Sequence, residues 1–117
     1  MTSPTSCAIE QRSEGETTVV SVTGTVDMLT APQLEQAIGA AAKSSPAAVV
    51  VDLSAVEFLA SAGMGVLVAA HGDLSPAVRF VVVADGPATS RPLKLVGIAD
   101  VVDLYATLDE ALAALAT

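Results

Sequence analysis

The chain has 117 residues, which is enough for one compact domain and too few for two ordinary ones. Hydrophobic residues make up 52% of the sequence and aromatic residues only 3%, so the core must be built from Val, Leu, Ile and Ala. The formal net charge of −8 argues against binding to a nucleic-acid backbone, because such binding requires clustered Lys and Arg side chains.

The compartment and the chain ends can also be predicted. No apolar run approaches the roughly 18 residues of a membrane span, and residues 1–8 lack the pattern of a signal peptide. We therefore expect a cytoplasmic protein that does not bind membranes. Residues 1–6 are rich in Ser, Thr and Pro and are expected to be disordered, while residues 7–117 form the single domain. Cys7 is the only cysteine, which excludes an internal disulfide.

The chain opens with an expected β-hairpin. Residues 7–12 and 17–23 are extended candidates, and a polar turn that contains Gly15 separates them. The second strand is rich in β-branched residues, which favour strands. Residues 24–29 then form a loop or a strand end.

The first helix has three start signals. Thr30 can cap it, Gln33 can return the capping bond three residues later, and Pro32 suits a first helical turn. The apolar residues at helical spacing that would pack on the sheet are Leu34, Ala37, Ile38 and Ala41. Residues 43–46 are expected to end this helix.

The central stretch, residues 49–68, organises the rest of the chain. Its Val49–Val51 run suits a strand buried on both faces. The sequence turns polar at Asp52 and Ser54, which predicts a loop, and a second apolar stretch follows with helical spacing. Ser61 is then expected at or beside a helix N-terminus, on the edge of the sheet where parallel strands end and sites are usually found.

The remaining elements alternate. His71 and Gly72 read as a helix end, which makes His71 a helix-end residue rather than a catalytic base. The elements that follow are a strand over residues 77–84, a helix over 87–98, a strand over 101–105 and a last helix capped by Thr107. The predicted order is ββαβαβαβα, an α/β fold with a mostly parallel central sheet, an antiparallel edge strand and helices packed on it.

Two motifs carry a resemblance to a known family. Residues 52–65 read DLSAVEFLASAGMG, which resembles the signature of STAS domains of the anti-sigma factor antagonist type: D-L-S-x-V-x-F/Y before Asp-Ser-Ser/Thr-Gly-Leu-Gly. Upstream, residues 23–27 (TGTVD) with Thr30 and Ala31 resemble the G-E-x-D and T-A of that family. The predicted element order also agrees over nearly the whole chain.

The resemblance implies a function in bacterial sigma-factor regulation. In that family the antagonist binds an anti-sigma factor that is also a Ser/Thr kinase, frees a sigma factor, and is inactivated when the first Ser of the segment is phosphorylated. Here that residue is Ser61, and a Ser phosphatase would reset it. The partner-binding residues that the resemblance implies are Asp27, Ala60, Ser61, Ala62, Gly63 and Met64. Taken by itself, Asp27 could instead be an ordinary turn residue that bonds its own backbone. No cofactor or metal is expected.

The sequence departs from the family pattern beside Ser61. Ala60 stands where the family has Asp, and Ala62 where it has a second hydroxyl residue. A STAS scaffold that is not phosphorylated is therefore an alternative. Gly63 and Gly65 each destabilise a helix by about 1 kcal/mol relative to Ala, so close approach of either the sheet or a partner should explain them.

Two other interpretations of the sequence are a receiver-like phosphoacceptor domain and an enzyme. Asp52, after a buried strand, could be the phosphoacceptor of a receiver-like domain, but the expected acidic pair and late Lys are missing, and Asp52 more simply braces the loop before Ser54. An enzyme is not expected either, because the sequence has no nucleophile elbow, no Gly-rich phosphate loop and no cluster of metal ligands.

Overall fold

The structure is a computed structural model that describes residues 7–116. Over that range the element order is the predicted ββαβαβαβα. The expectations for residues 1–6 and Thr117 lie outside the described residues. The strands are β1 (Cys7–Glu14), β2 (Thr17–Val26), β3 (Ala48–Leu59), β4 (Arg79–Val83) and β5 (Asp103–Tyr105). The helices are α1 (Ala31–Ala42), α2 (Ser61–Leu74), α3 (Ser90–Leu95) and α4 (Leu108–Leu115), with a 3-10 helix at Ile98–Asp100.

The strands form one sheet in the order β1-β2-β3-β4-β5. β1 runs antiparallel to β2, and the other neighbouring pairs are parallel. Parallel neighbours need a crossover connection, and α1, α2 and α3 lie in the three crossovers. The predicted fold class, a mostly parallel sheet with an antiparallel edge strand, is confirmed.

The core lies on both faces of this sheet because successive strand residues point to opposite sides. On one face, buried side chains of β2, β3 and β4 pack with Leu34 of α1, Leu67 of α2 and Leu93 of α3. On the other face, a smaller cluster packs beneath Ala111 of α4. The strand residues of that smaller cluster are Val19, Val50, Val81 and Val83.

Strand β3 departs most from the prediction. The expected loop after Val51 is wrong, since residues 52–59 continue the strand. The register with β2 shifts twice, between Asp52 and Ala55 and between Val56 and Phe58, so β3 holds two extra residues as bulges. The buried residues on this segment are therefore three apart instead of two: Leu53, Val56 and Leu59. A spacing of three is close to that of a helical face, which is why the sequence pattern did not predict a continuous strand.

Several boundaries also differ. α2 does not end at His71 and Gly72 but continues to Leu74, with His71 in its last turn. The helix predicted over residues 87–98 is shorter, because α3 stops at Leu95 and Gly97 takes a left-handed conformation with φ of 83°. The cap of the last helix is confirmed, since Glu110 N–H donates to the Thr107 hydroxyl at 3.1 Å.

Candidate functional site

The carboxyl ends of β2 and β3 bring two distant segments together. Val26 and Leu59 are paired at the ends of these parallel strands, and Ala60 N–H donates to the Val26 carbonyl at 2.8 Å. The residues that follow each strand, Asp27 and Ser61, therefore lie at the same edge of the sheet. We call this edge, residues 26–30 with residues 58–64, the carboxyl edge.

Ser61 is the first residue of α2. Ala60 precedes it in an extended conformation (φ −86°, ψ 170°) and offers no capping side chain. The first intrahelical bonds run from Gly63 and Met64 N–H to the Ala60 carbonyl, at 3.0 and 3.1 Å. The N–H groups of Ser61 and Ala62 come before them, and N–H groups in this first turn have no intrahelical partners. The Ser61 side chain is exposed, and no side chain or carbonyl of residues 7–116 bonds its hydroxyl.

Gly63 is required by internal packing. A Cβ built on it would lie 2.5 Å from Val26 Cγ1 and 2.8 Å from Leu59 Cδ1, closer than real Cβ atoms approach. The glycine thus lets α2 sit directly on the ends of β2 and β3. Of the two explanations offered by the sequence, close approach of the sheet accounts for Gly63.

Gly65 is different. A Cβ added there would meet nothing within 4 Å, and the residue is exposed. Packing within the described residues therefore gives no reason for this glycine, although it lies one turn after Ser61 on the helix. Met64, the residue between the two glycines, is partly buried against the core.

Asp27 organises the start of α1. Its carboxylate accepts hydrogen bonds from the backbone N–H groups of Leu29 at 2.9 Å and Thr30 at 3.1 Å. The Thr30 hydroxyl instead donates to the Thr25 carbonyl and accepts from Asp27 N–H. The predicted capping box of Thr30 and Gln33 is therefore wrong. The Thr30 hydroxyl makes no capping bond to the helix, and Asp27 takes the Thr30 N–H that Gln33 was expected to bond.

Three large apolar side chains that the sequence analysis missed are exposed on the segments that form the carboxyl edge. Met28 is 77% exposed, Leu29 is 69% exposed and Phe58 is 56% exposed. Met28 and Leu29 lie in the turn held by Asp27, and Phe58 pairs with Thr25 across the strands. Once the buried positions of β3 are known to be three apart, Phe58 falls outside them, which is the signal that could have revealed it. We call Met28, Leu29 and Phe58 the apolar patch.

Cys7 also reaches the carboxyl edge, because the start of β1 pairs with Gly24 near the end of β2. Its thiol donates to the Gln33 side-chain carbonyl at 3.0 Å. Burial raises the pKa of the Cys7 thiol, the nearby Thr30 side chain partly opposes this, and the charge of Asp27 raises the pKa further. The thiol is therefore held in its protonated, less reactive form.

Asp52 lies inside β3 at the first bulge. Its carboxylate accepts from Ser54 N–H at 3.0 Å and from the Ser54 hydroxyl at 2.6 Å. The predicted bond to Ser54 is present, but it braces a bulged strand and not a loop. Within the described part of the chain, no three His, Cys, Asp or Glu side chains converge to hold a metal ion. None of the helices there has the length and apolar character that a membrane span requires.

Comparison with known proteins decides the family. The model of the STAS domain matches residues 8–111, which include the whole carboxyl edge. The chain belongs to the STAS domain family. The resemblance carried by residues 52–65 is thereby confirmed.

Relatives of this STAS domain share its length. It is 40% identical over 112 residues to the anti-sigma-F factor antagonist RsfB of Mycobacterium tuberculosis, covering 96% of this chain and 92% of the relative. It also resembles the crystal structure of an anti-sigma factor antagonist from Mycobacterium paratuberculosis, with 48% identity, a TM-score of 0.94 and full coverage of both chains. The unphosphorylated form of the antagonist SpoIIAA, at 20% identity, covers 92% of this chain and 97% of its own with a TM-score of 0.71, which shows a shared fold.

Proposed function

We propose that this STAS domain is an anti-sigma factor antagonist that binds an anti-sigma factor through its carboxyl edge and so frees a sigma factor. The proposed partner carries a kinase-type ATPase domain, and its phosphorylation of Ser61 switches the antagonist off until a Ser phosphatase resets it. The protein would act by binding and not by catalysis, in the cytoplasm where it meets the sigma factor's inhibitor. The observation that carries this proposal is the exposed Ser61 hydroxyl, which no side chain or carbonyl of residues 7–116 bonds, at the same edge of the sheet as the apolar patch.

The apolar patch supports a protein partner. Met28, Leu29 and Phe58 expose more than half of their side-chain surface at one edge of a small chain. Large exposed apolar side chains at one edge are typical of protein interfaces, where Met and aromatic residues are enriched. Asp27 supports the interface indirectly, because its bonds to Leu29 and Thr30 fix the turn that displays Met28 and Leu29.

Phosphorylation of Ser61 is compatible with the fold. A phosphoserine adds about −1.5 to −2 charges and three acceptor oxygens, and a helix N-terminus favours an anion by about 0.3–1 kcal/mol. The phosphate would therefore not unfold α2. It would instead place a hydrated charge against an apolar contact, where no opposite charge offsets the free-energy cost of removing its water.

The scaffold alternative rests on the two alanines that flank Ser61. Ala60 gives the site no acid and Ala62 gives it no second acceptor, and the nearby carboxylate of Asp27 is engaged by backbone N–H groups. In that alternative the same carboxyl edge binds the partner without phosphate transfer. The two functions differ only in chemistry at Ser61.

Mass mapping separates the switch from the scaffold. The full chain is incubated with a candidate anti-sigma kinase and ATP, and phosphate is located by peptide mass spectrometry. We expect phosphate on Ser61 and none on the Ser61→Ala variant. Stable binding without transfer would support the scaffold, and phosphate at another residue would contradict the assignment of Ser61.

The affinity of variants tests the switch. Ser61→Ala should bind the anti-sigma factor as the native chain does, whereas Ser61→Glu should bind at least about tenfold more weakly, because it buries a charge at the interface. Ser44→Glu, an exposed position beyond the far end of α1, adds the same charge away from the edge and serves as the control. Equal affinities of the two Ser61 variants, measured by titration calorimetry, would contradict the mechanism.

A further inference from the structure

Strand β1 is an outer edge of the sheet. It pairs with β2 over all eight of its residues, and among residues 7–116 no strand lies on its other side. Residues 10–14 of β1 are all exposed. The outer edge of such a strand presents N–H and C=O groups that can accept a strand from another chain.

The hairpin geometry determines which groups point outward. Glu14 and Thr17 close a two-residue turn in which Gly15 has φ of 64°. The pair that closes a two-residue hairpin turn is hydrogen-bonded, and hydrogen-bonded pairs then alternate along an antiparallel ladder. The even-numbered residues of β1 therefore bond to β2. Ile9, Gln11 and Ser13 direct their N–H and C=O groups away from the sheet.

The charges on this edge are self-complementary in one register. If two copies of β1 pair antiparallel about Gln11, that residue meets its own copy and Ile9 meets Ser13, so the outward groups of both strands match. Glu10 of each copy then lies directly opposite Arg12 of the other. Sliding one strand by two residues instead opposes Glu10 to Glu10, or Arg12 to Arg12, and like charges directly opposite destabilise a strand pair.

We propose that the protein forms a two-fold symmetric dimer in which the β1 strands of two copies pair antiparallel about Gln11 and join the sheets. The occupant of the edge is a second copy because the pattern Glu10-Gln11-Arg12 complements itself, as an isologous interface requires. One added strand pair is a small interface, so the dimer is weak and forms only at high concentration.

The dimer leaves the carboxyl edges free. β1 begins beside Gly24, at the carboxyl end of β2, and ends at the opposite end of the sheet. Antiparallel pairing of two β1 strands therefore places the two Ser61 residues at opposite ends of the joined sheet. This inference does not depend on the proposed function, since it uses a different edge.

Sedimentation velocity of the full chain from about 10 μM to about 1 mM tests the dimer. We expect a concentration-dependent shift from monomer to dimer. Arg12→Glu places like charges opposite each other at both symmetric pairs and should weaken the dimer about tenfold or more. Lys43→Glu, which makes the same charge change on an exposed residue next to α1, should not weaken it.

Two further experiments test whether the dimer forms through β1 in the proposed register. Glu10→Arg alone should also weaken the dimer, but an equimolar mixture of Glu10→Arg with Arg12→Glu should restore it, because each Glu then faces an Arg. Gln11→Pro removes an N–H that points away from β2, so it should abolish the dimer while thermal unfolding remains close to native. A chain that stays monomeric at all concentrations, or a mixture that does not associate, would overturn the proposal.

Discussion

The sheet has an amino half, where its parallel strands begin, and a carboxyl half, where they end. The two halves differ in how their strands pair and in how well their side chains are covered. In the amino half β2, β3 and β4 pair in regular register, and their valines are covered on both faces. β4 ends opposite Asp52, and beyond that point β3 continues with β2 through two bulges to the carboxyl edge. The regular half holds the fold together, whereas the irregular half leaves large apolar side chains exposed.

The largest expected effect separates stability from binding. Val50 is fully buried in the amino half, so Val50→Ala should lower the free energy of unfolding by about 2–3 kcal/mol. Phe58 is mostly exposed in the carboxyl half, so Phe58→Ala should change it by less than about 0.5 kcal/mol while weakening binding to the anti-sigma factor. Urea unfolding and calorimetric titration measure the two quantities. A large loss of stability in Phe58→Ala would remove the distinction between the halves.

The junction between α2 and the strand ends is the place in the carboxyl half where packing is tight. Gly63→Ala would force a methyl group against Val26 and Leu59, and overpacking of this kind costs about 1–3 kcal/mol. We expect lower stability by urea unfolding, even though Ala is the better helix former. Unchanged or increased stability would mean that the helix can move away from the strands without loss.

The exposed glycines of α2 provide a matched pair. Gly65→Ala and Gly72→Ala each add a methyl group where nothing lies within 4 Å, so each should stabilise the fold by up to about 1 kcal/mol. Gly65 lies one turn from Ser61, so its substitution should also weaken partner binding, whereas Gly72, two turns further on, should not. If both variants bind the anti-sigma factor equally well, the partner does not approach α2 at Gly65.

The same division explains what could be predicted from the sequence. Runs such as Val49–Val51 identify buried parallel strands because every residue in them is apolar and β-branched. The element order and the antiparallel hairpin followed from such local patterns. These are properties of the amino half, where each residue's environment is set by regular pairing.

The carboxyl half could be predicted only in part. Its bulges space the buried residues Leu53, Val56 and Leu59 by three, so a strand resembled a loop that leads into a helix. The helix start at Ser61 was placed correctly, yet the exposure of Phe58 was missed because it depends on the bulges of β3. The sequence left two interpretations of Asp27, a partner contact and a turn residue that bonds its own backbone. The structure shows the backbone bonds, from the N–H groups of Leu29 and Thr30, but it does not test the partner contact.

The smallest expected effect uses Cys7 as a reporter of the carboxyl edge. Burial raises the pKa of Cys7 most, the Thr30 side chain lowers it and the charge of Asp27 raises it, so Asp27→Asn should lower that pKa and Thr30→Val should raise it. Asn can still accept the bonds that start α1, which makes Asp27→Asn a change of charge more than of structure. Thiolate absorbance during a pH titration measures both shifts, since the chain has one cysteine.

The sign of the stability change follows from the same shift. A thiol whose pKa is raised in the folded state keeps its proton longer than in the unfolded chain, so its stabilising contribution is complete below the unfolded pKa and is lost as pH rises through the folded pKa. The pH range between the unfolded and the folded pKa of Cys7 should become narrower in Asp27→Asn and wider in Thr30→Val. Shifts of the Cys7 pKa in the same direction for both variants would show that the thiol responds to loosening of the turn and not to the Asp27 charge.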